Sequence, residues 1–171
     1  TGKVAWEAGD QVNILVDEGN YLYTAAQAGA TTFLTTEEED VPAEGTYYAL
    51  FPYDADAALA DGVITTTLPA EQTAVLGSFT THLAVAQTTD TKLAFKNVCG
   101  LVKVNVSAEN VTKIVFEGNN DEIVAGDIEV TVSDTPSWER LGGDPDPDPD
   151  QGPDLASLAS VRSTPVAWTS V

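Results

Sequence analysis

The residues able to do chemistry in this chain are few and scattered. His82 is the single histidine and Cys99 the single cysteine. A Ser/His/acid relay needs its imidazole between a nucleophile and an orienting carboxylate. The THLAVA context of His82 supplies neither, so it reads as a surface or edge histidine. Cys99 lies in an apolar run, KLAFKNVCGLVKVNV (92–106), with no histidine or helix start to activate it, and reads as a buried structural thiol. Structural zinc wants four soft or imidazole ligands, which one His and one Cys cannot provide. Oxygen ligands for Ca²⁺ are plentiful at Glu37, Glu38, Glu39 and Asp40, and again at Asp144, Asp146, Asp148 and Asp150. Neither group has the spacing of an EF-hand loop, and alternating prolines hold the second set of carboxylates apart. Paired carboxylates of glycosidase type need a cleft at a set separation, and no sequence pattern singles out a pair. The reading is therefore of a protein with no catalytic residues, no cofactor and no metal.

The charge narrows the partners. The 171 residues carry 27 acidic against 7 basic side chains, a formal net charge of −20. Binding a phosphate backbone requires clustered Lys and Arg, so nucleic acid and anionic membrane are poor partners, and no nucleic-acid partner is expected. A 43% hydrophobic fraction suffices for a real core. No run of about 18 apolar residues is present to span a bilayer. Thr1 leads almost directly into a folded pattern, as in a processed or trimmed product, and an export signal could have preceded it.

The elements that would position any site are β-strands. QVNILV (11–16) alternates Val12, Ile14 and Val16 with polar neighbours, and NYLYTA (20–25) follows a turn at Asp17, Glu18 and Gly19. TTFLTT (31–36), TYYALF (46–51) ending at Pro52, GVITTTL (62–68), KLAFKNV, GLVKVNV, VTKIVFEG (111–118) and EIVAGDIEVTV (122–132) continue the series. Short β-branched and aromatic runs with a turn signal every ten or so residues predict an all-β sandwich or barrel. Residues 55–60 and 71–76 could each form one helical turn, and Asn119-Asn120 suits a tight hairpin. Leu93 and Phe95 point inward, as do Val102, Val104 and Val106. The two sets differ in parity, which predicts a bulge or crossover near Gly100.

Composition changes after Asp134. Six of the nine prolines and both arginines, Arg140 and Arg162, lie beyond it. This divides the chain into a sandwich domain over 1–134, an acidic Pro/Asp/Gly-rich linker over 135–154, and a tail over 155–171. In the tail, DLASLASV (154–161) could form a short helix and STPVAWTSV (163–171) a last strand. Tyr21 and Tyr23 share one face of their strand, and with Tyr48 they are candidate ligand-contact aromatics that could stack on sugar rings.

These pieces occur in a recognisable order. Trp6, Gly9-Asp10, Phe33, YYALFPY (47–53), Leu68-Pro69 with Gln72, residues 93–104 and AGDIEV (125–130) together resemble the Bacteroidetes fimbrillin-like proteins. These are the Mfa/FimA-like fimbrial subunits and related surface lipoproteins. The resemblance spans 1 to about 134. It implies a transthyretin-like Greek-key β-sandwich, export as a lipoprotein to the outer membrane, cell surface or fimbrium, and work as a pilus building block, tip protein or adhesin. Its implied partners are other fimbrial subunits, a further copy of itself, or a host or bacterial surface protein or glycan. Assembly in such proteins proceeds by strand addition, in which a sheet edge gains main-chain hydrogen bonds while alternate side chains fill pockets. The terminal strand is the expected donor, with Val166 and Trp168 as plugs on one face. The alternative is a surface module on the same scaffold that binds glycans or another extracellular ligand. Two departures stand out: a second domain of the same kind is missing, and nothing after Thr135 matches the pattern.

Overall fold

The computed structural model describes residues 5–75, 78–79, 82–100, 104–117, 124–141 and 160–165. These residues form strands and irregular loops, with no helix among them. In order the strands are β1 (Gln11–Val16), β2 (Gly19–Ala25), β3 (Leu34–Thr35), β4 (Tyr47–Phe51), β5 (Ala58–Ala60), β6 (Val63–Leu68), β7 (Ala74–Val75), β8 (Ser78–Phe79), β9 (Ala84–Thr88), β10 (Lys96–Asn97), β11 (Val111–Glu117), β12 (Gly126–Thr131), β13 (Ser137–Arg140) and β14 (Ser160–Pro165). The chain falls into two compact units. One is drawn from Thr1–Gly100 and Asp127–Leu141, the other from Leu101–Gly126 and Gly142–Val171.

The first unit holds two larger antiparallel sheets, an arrangement consistent with a β-sandwich, and the small two-stranded β7-β8 ribbon. Six strands run in the order β10-β9-β4-β1-β2-β3 and four in the order β13-β12-β6-β5. Alternation along each strand dictates what lies between them. Leu15 of β1, Leu50 of β4 and Val85 of β9 meet Ile64 of β6 and Ile128 and Val130 of β12 in one buried cluster. The opposite face of the six-stranded sheet is also apolar. There Val12, Ile14, Ala49 and Ala86 are buried beneath Trp6, Tyr21, Tyr23, Tyr47, Phe51 and Phe95. Tight turns set the registers. A two-residue turn joins β1 to β2, with Asp17 at φ 52°. Asp61-Gly62, both at positive φ, joins β5 to β6, the Asp-Gly pairing a primed hairpin turn favours.

Several sequence expectations change. Residues 58–60 and 74–75 are strand, so neither expected helical turn forms. Only Lys96 and Asn97 of KLAFKNV pair, and residues 104–107 are not strand, with Val106 half-exposed. Leu93 and Phe95 pack on the outer face of the six-stranded sheet, while Val98 and Cys99 pack on the inter-sheet core. The chain thus changes face before Gly100, where the Val98 amide donates to Leu83 O. Pro136 does not begin a linker: residues 137–140 pair with β12, because Trp138 sits opposite the buried Val130. Val102, the Asn119-Asn120 turn, most of the acidic linker and residues 154–159 lie outside the described residues. In the second unit β11 and β14 pair antiparallel, from Val111 with Pro165 to Glu117 with Ser160. The terminal strand therefore starts at Ser160, three positions earlier than the sequence suggests, and Ser160 and Val161 are strand where a helix was expected.

Candidate functional site

The residues with catalytic potential are engaged in packing. The half-buried His82 ring tilts against Phe51 at 5.0 Å. Burial lowers its pKa, and the Asp10 charge opposes that shift. The Cys99 thiol is half-buried against the core, and burial raises its pKa, the reverse of an activated nucleophile. Asp54 lies beside a small cleft with Tyr53, Thr66 and Pro69. Its Oδ2 accepts from Thr66 Oγ1 at 2.7 Å and its Oδ1 from the Asp56 amide at 3.0 Å. Among the described residues no three His, Cys, Asp or Glu side chains converge as a metal site would require.

Asp54 instead belongs to a structural knot. The chain leaves β4 through a cis Phe51-Pro52 peptide and crosses toward β5. Asn13, fully buried on β1, binds that crossing segment twice. Its Nδ2 donates to Asp54 O at 2.7 Å and its Oδ1 accepts from the Asp54 amide at 2.9 Å. Asn13 Nδ2 also donates to Asn20 Oδ1 at 2.7 Å, and Asn20 Nδ2 reaches Ala57 O at 2.9 Å. Two asparagines thus stand in for the ladder that an irregular, buried backbone would otherwise lack.

The three candidate ligand-contact tyrosines separate. Tyr21 and Tyr23 share the outer face with Tyr47, whereas Tyr48 packs on the inter-sheet core, its hydroxyl facing Gly62. On the outer face, Tyr21 Oη donates to Asp40 O at 3.3 Å and Tyr47 Oη to Pro42 O at 2.8 Å. Burial raises the Tyr23 pKa, helped by Tyr47 and the Glu38 charge. The other half of that face is covered by Trp6, which meets Phe51 and Phe95 edge-on at 5.7 and 5.3 Å. The same Trp6 exchanges both backbone hydrogen bonds with Gly29. These rings form a second apolar layer under loops, with the Tyr21 and Tyr47 hydroxyls already committed. Phe33, by contrast, is 75% exposed.

The feature left open is a sheet edge. β9 pairs along its whole length with β4, from Tyr47 with Thr88 to Phe51 with Ala84. On its other side only Ala84 and Val85 are paired, with Asn97 and Lys96 of β10. The Val98 amide bound to Leu83 O fixes the parity: Leu83, Val85 and Gln87 direct their backbone groups outward. The ladder stops after Val85, so the outward N–H and C=O of Gln87 have no strand partner among the described residues. Beside this edge runs an open groove, walled by residues 85–89 on one side and 132–134 on the other, with Ala94 and Lys96 at its end. On the edge strand β13, Trp138 shares the inward face of Val130 yet remains 44% exposed. Sequence reasoning misses this site because LAVAQT (83–88) is alanine-rich and shows no alternation. Its signal was a short apolar run closed by the Thr88-Thr89-Asp90 turn, where Asp90 Oδ1 accepts from the Lys92 amide and Thr88 Oγ1.

The expected donor plugs, Val166 and Trp168, lie outside the described residues, while Thr164 and Pro165 belong to β14 and pair with β11 of the same chain. No family model, curated protein or solved structure matches the chain.

Proposed function

We propose that this chain is a non-enzymatic surface protein of fimbrial or adhesin type, assembling when an extended strand of a second copy is added along β9. On this reading the two sheets are a transthyretin-like Greek-key sandwich, and the protein is exported to the outer membrane or fimbrium. The observation that carries the proposal is the interrupted ladder at Gln87, a residue that also lines an open groove. An unpaired edge of this kind is a template for strand addition. The proposed donor is the terminal segment beyond β14, where Val166 and Trp168 are spaced two apart in the sequence, as alternate plugs of an added strand must be.

Sedimentation velocity of the full chain across a wide concentration range tests this. The intact chain should form larger species as concentration rises, and a variant ending at Pro165, which keeps β14, should stay a single species. A chain that remains a single species at every concentration would refute assembly. Association that survives both the truncation and a block at Gln87 would refute the β9 edge and its donor together.

A further inference from the structure

The two edges of the six-stranded sheet are treated differently, and the difference points to a built-in limit on assembly. At the far edge β3 pairs only with Thr24 and Ala25 of β2. Continuing that register would set Glu37 opposite Leu22 and extend β3 along the rest of β2. The chain turns away instead after Thr35, with the Glu38 amide donating to Thr36 Oγ1 at 3.1 Å. The Glu38 side chain then reaches back, and its Oε1 accepts from the Leu22 amide at 2.8 Å. A carboxylate thereby occupies the outward donor that an incoming strand would need, through a charge-assisted bond of the stronger kind.

Past Glu38 the chain crosses the outer face as a strap hydrogen-bonded to two strands and running close over a third. Tyr21 of β2 holds Asp40 O and Tyr47 of β4 holds Pro42 O. At Gly45, φ 142°, an added Cβ would lie 3.1 Å from Val16 Cγ2 of β1. The same stretch carries Glu37, Glu39 and Asp40, which repel another acidic copy of this chain.

We infer that residues 36–45 are an autoinhibitory strap: Glu38 closes the β2 edge and the tyrosine tethers hold it there, so that this sheet accepts a strand at β9 alone. Displacing the strap would convert β2 into a second pairing edge for another copy of the chain.

The test uses full-length protein carrying Gln87→Pro, so that association through β9 cannot mask the result. Adding Glu38→Ala should speed exchange of the Leu22 amide in dilute protein by at least about tenfold, as expected for loss of a hydrogen bond to a charged group. Raising the concentration should then produce dimers in which the Leu22 amide is protected again. Glu38→Gln keeps a side-chain acceptor and should behave as Gln87→Pro alone. Unchanged Leu22 exchange in Glu38→Ala, or fast exchange without association at any concentration, would overturn the inference. Should Glu38→Ala fail to fold, Tyr21→Phe/Tyr47→Phe in the same background frees the strap while keeping the carboxylate. It must give both faster Leu22 exchange and association, and folded protein showing neither overturns the strap.

Discussion

Asn13 shows how much a single polar side chain determines here. It is fully buried, yet each of its polar atoms is used, and through Asp54 and Asn20 it holds the segment that carries the chain from one sheet toward the other. Asn13→Ala should cost about 2–4 kcal/mol in denaturant unfolding, since the Asp54 carbonyl and amide lose partners in a buried setting. The amides of residues 54–57 should lose hydrogen-exchange protection before those of β1 do. His82 gives a pH signature with a defined sign. Burial lowers its folded-state pKa below the unfolded value of about 6.5. The unfolded chain therefore takes up a proton first, and the stability present above pH 6.5 declines as pH falls below it. Unfolding midpoints at pH 7.5 and 5.5 should differ more for the native chain than for His82→Phe, which keeps the ring against Phe51 without the titration. At this scale the sequence was silent about Asn13. Nothing in QVNILV distinguishes an asparagine that points at solvent from one that ties down a loop 41 positions away.

At the scale of elements, hydrophobic patterning located β1, β2, β4 and β6 almost to the residue, because β1, β4 and β6 each commit a face to the inter-sheet core and β2 sets Tyr21 and Tyr23 on the outer apolar layer. It failed where pairing is short or where small residues leave no alternation to read. The composition of residues 55–60 suits a helical turn, although Asp61-Gly62 announces the hairpin that makes 58–60 the strand β5. β9 is rich in alanine and lies against apolar residues on both faces, so it shows no alternation. β13 hides behind a proline and two charges, and only its pairing with β12 makes it strand. The open ladder at β9 yields a prediction of its own. Proline is tolerated on an edge strand whose N–H faces outward, and the Gln87 N–H has no strand to lose. Gln87→Pro should therefore leave the unfolding midpoint within about 1 kcal/mol of the native chain, typical of a substitution away from buried features. It should still abolish concentration-dependent association. The same substitution at Val85, whose backbone faces β10, should destabilise the fold outright.

For the whole molecule, the dominant property is a formal charge of −20, which opposes any contact between copies. Association by main-chain pairing should therefore strengthen as salt shortens the screening length to about 8 Å near physiological ionic strength, the reverse of phosphate-backbone binding. Sedimentation at low and physiological salt measures that sign. The acidity was plain in the sequence, as was the all-β class, but the division into two units was not. Residues 101–126 read as continuous with the strands before them, yet β11 pairs with β14 and residues 127–141 return to the first unit. Such long-range partnerships depend on which edge is free, and composition carries no record of that. The account rests on the outer edge of β9 receiving a strand, and hydrogen exchange at the Gln87 amide reports on it directly. That amide should exchange freely in dilute protein and become protected in step with the appearance of larger species. Larger species in which Gln87 exchanges as fast as it does in dilute protein would contradict the account.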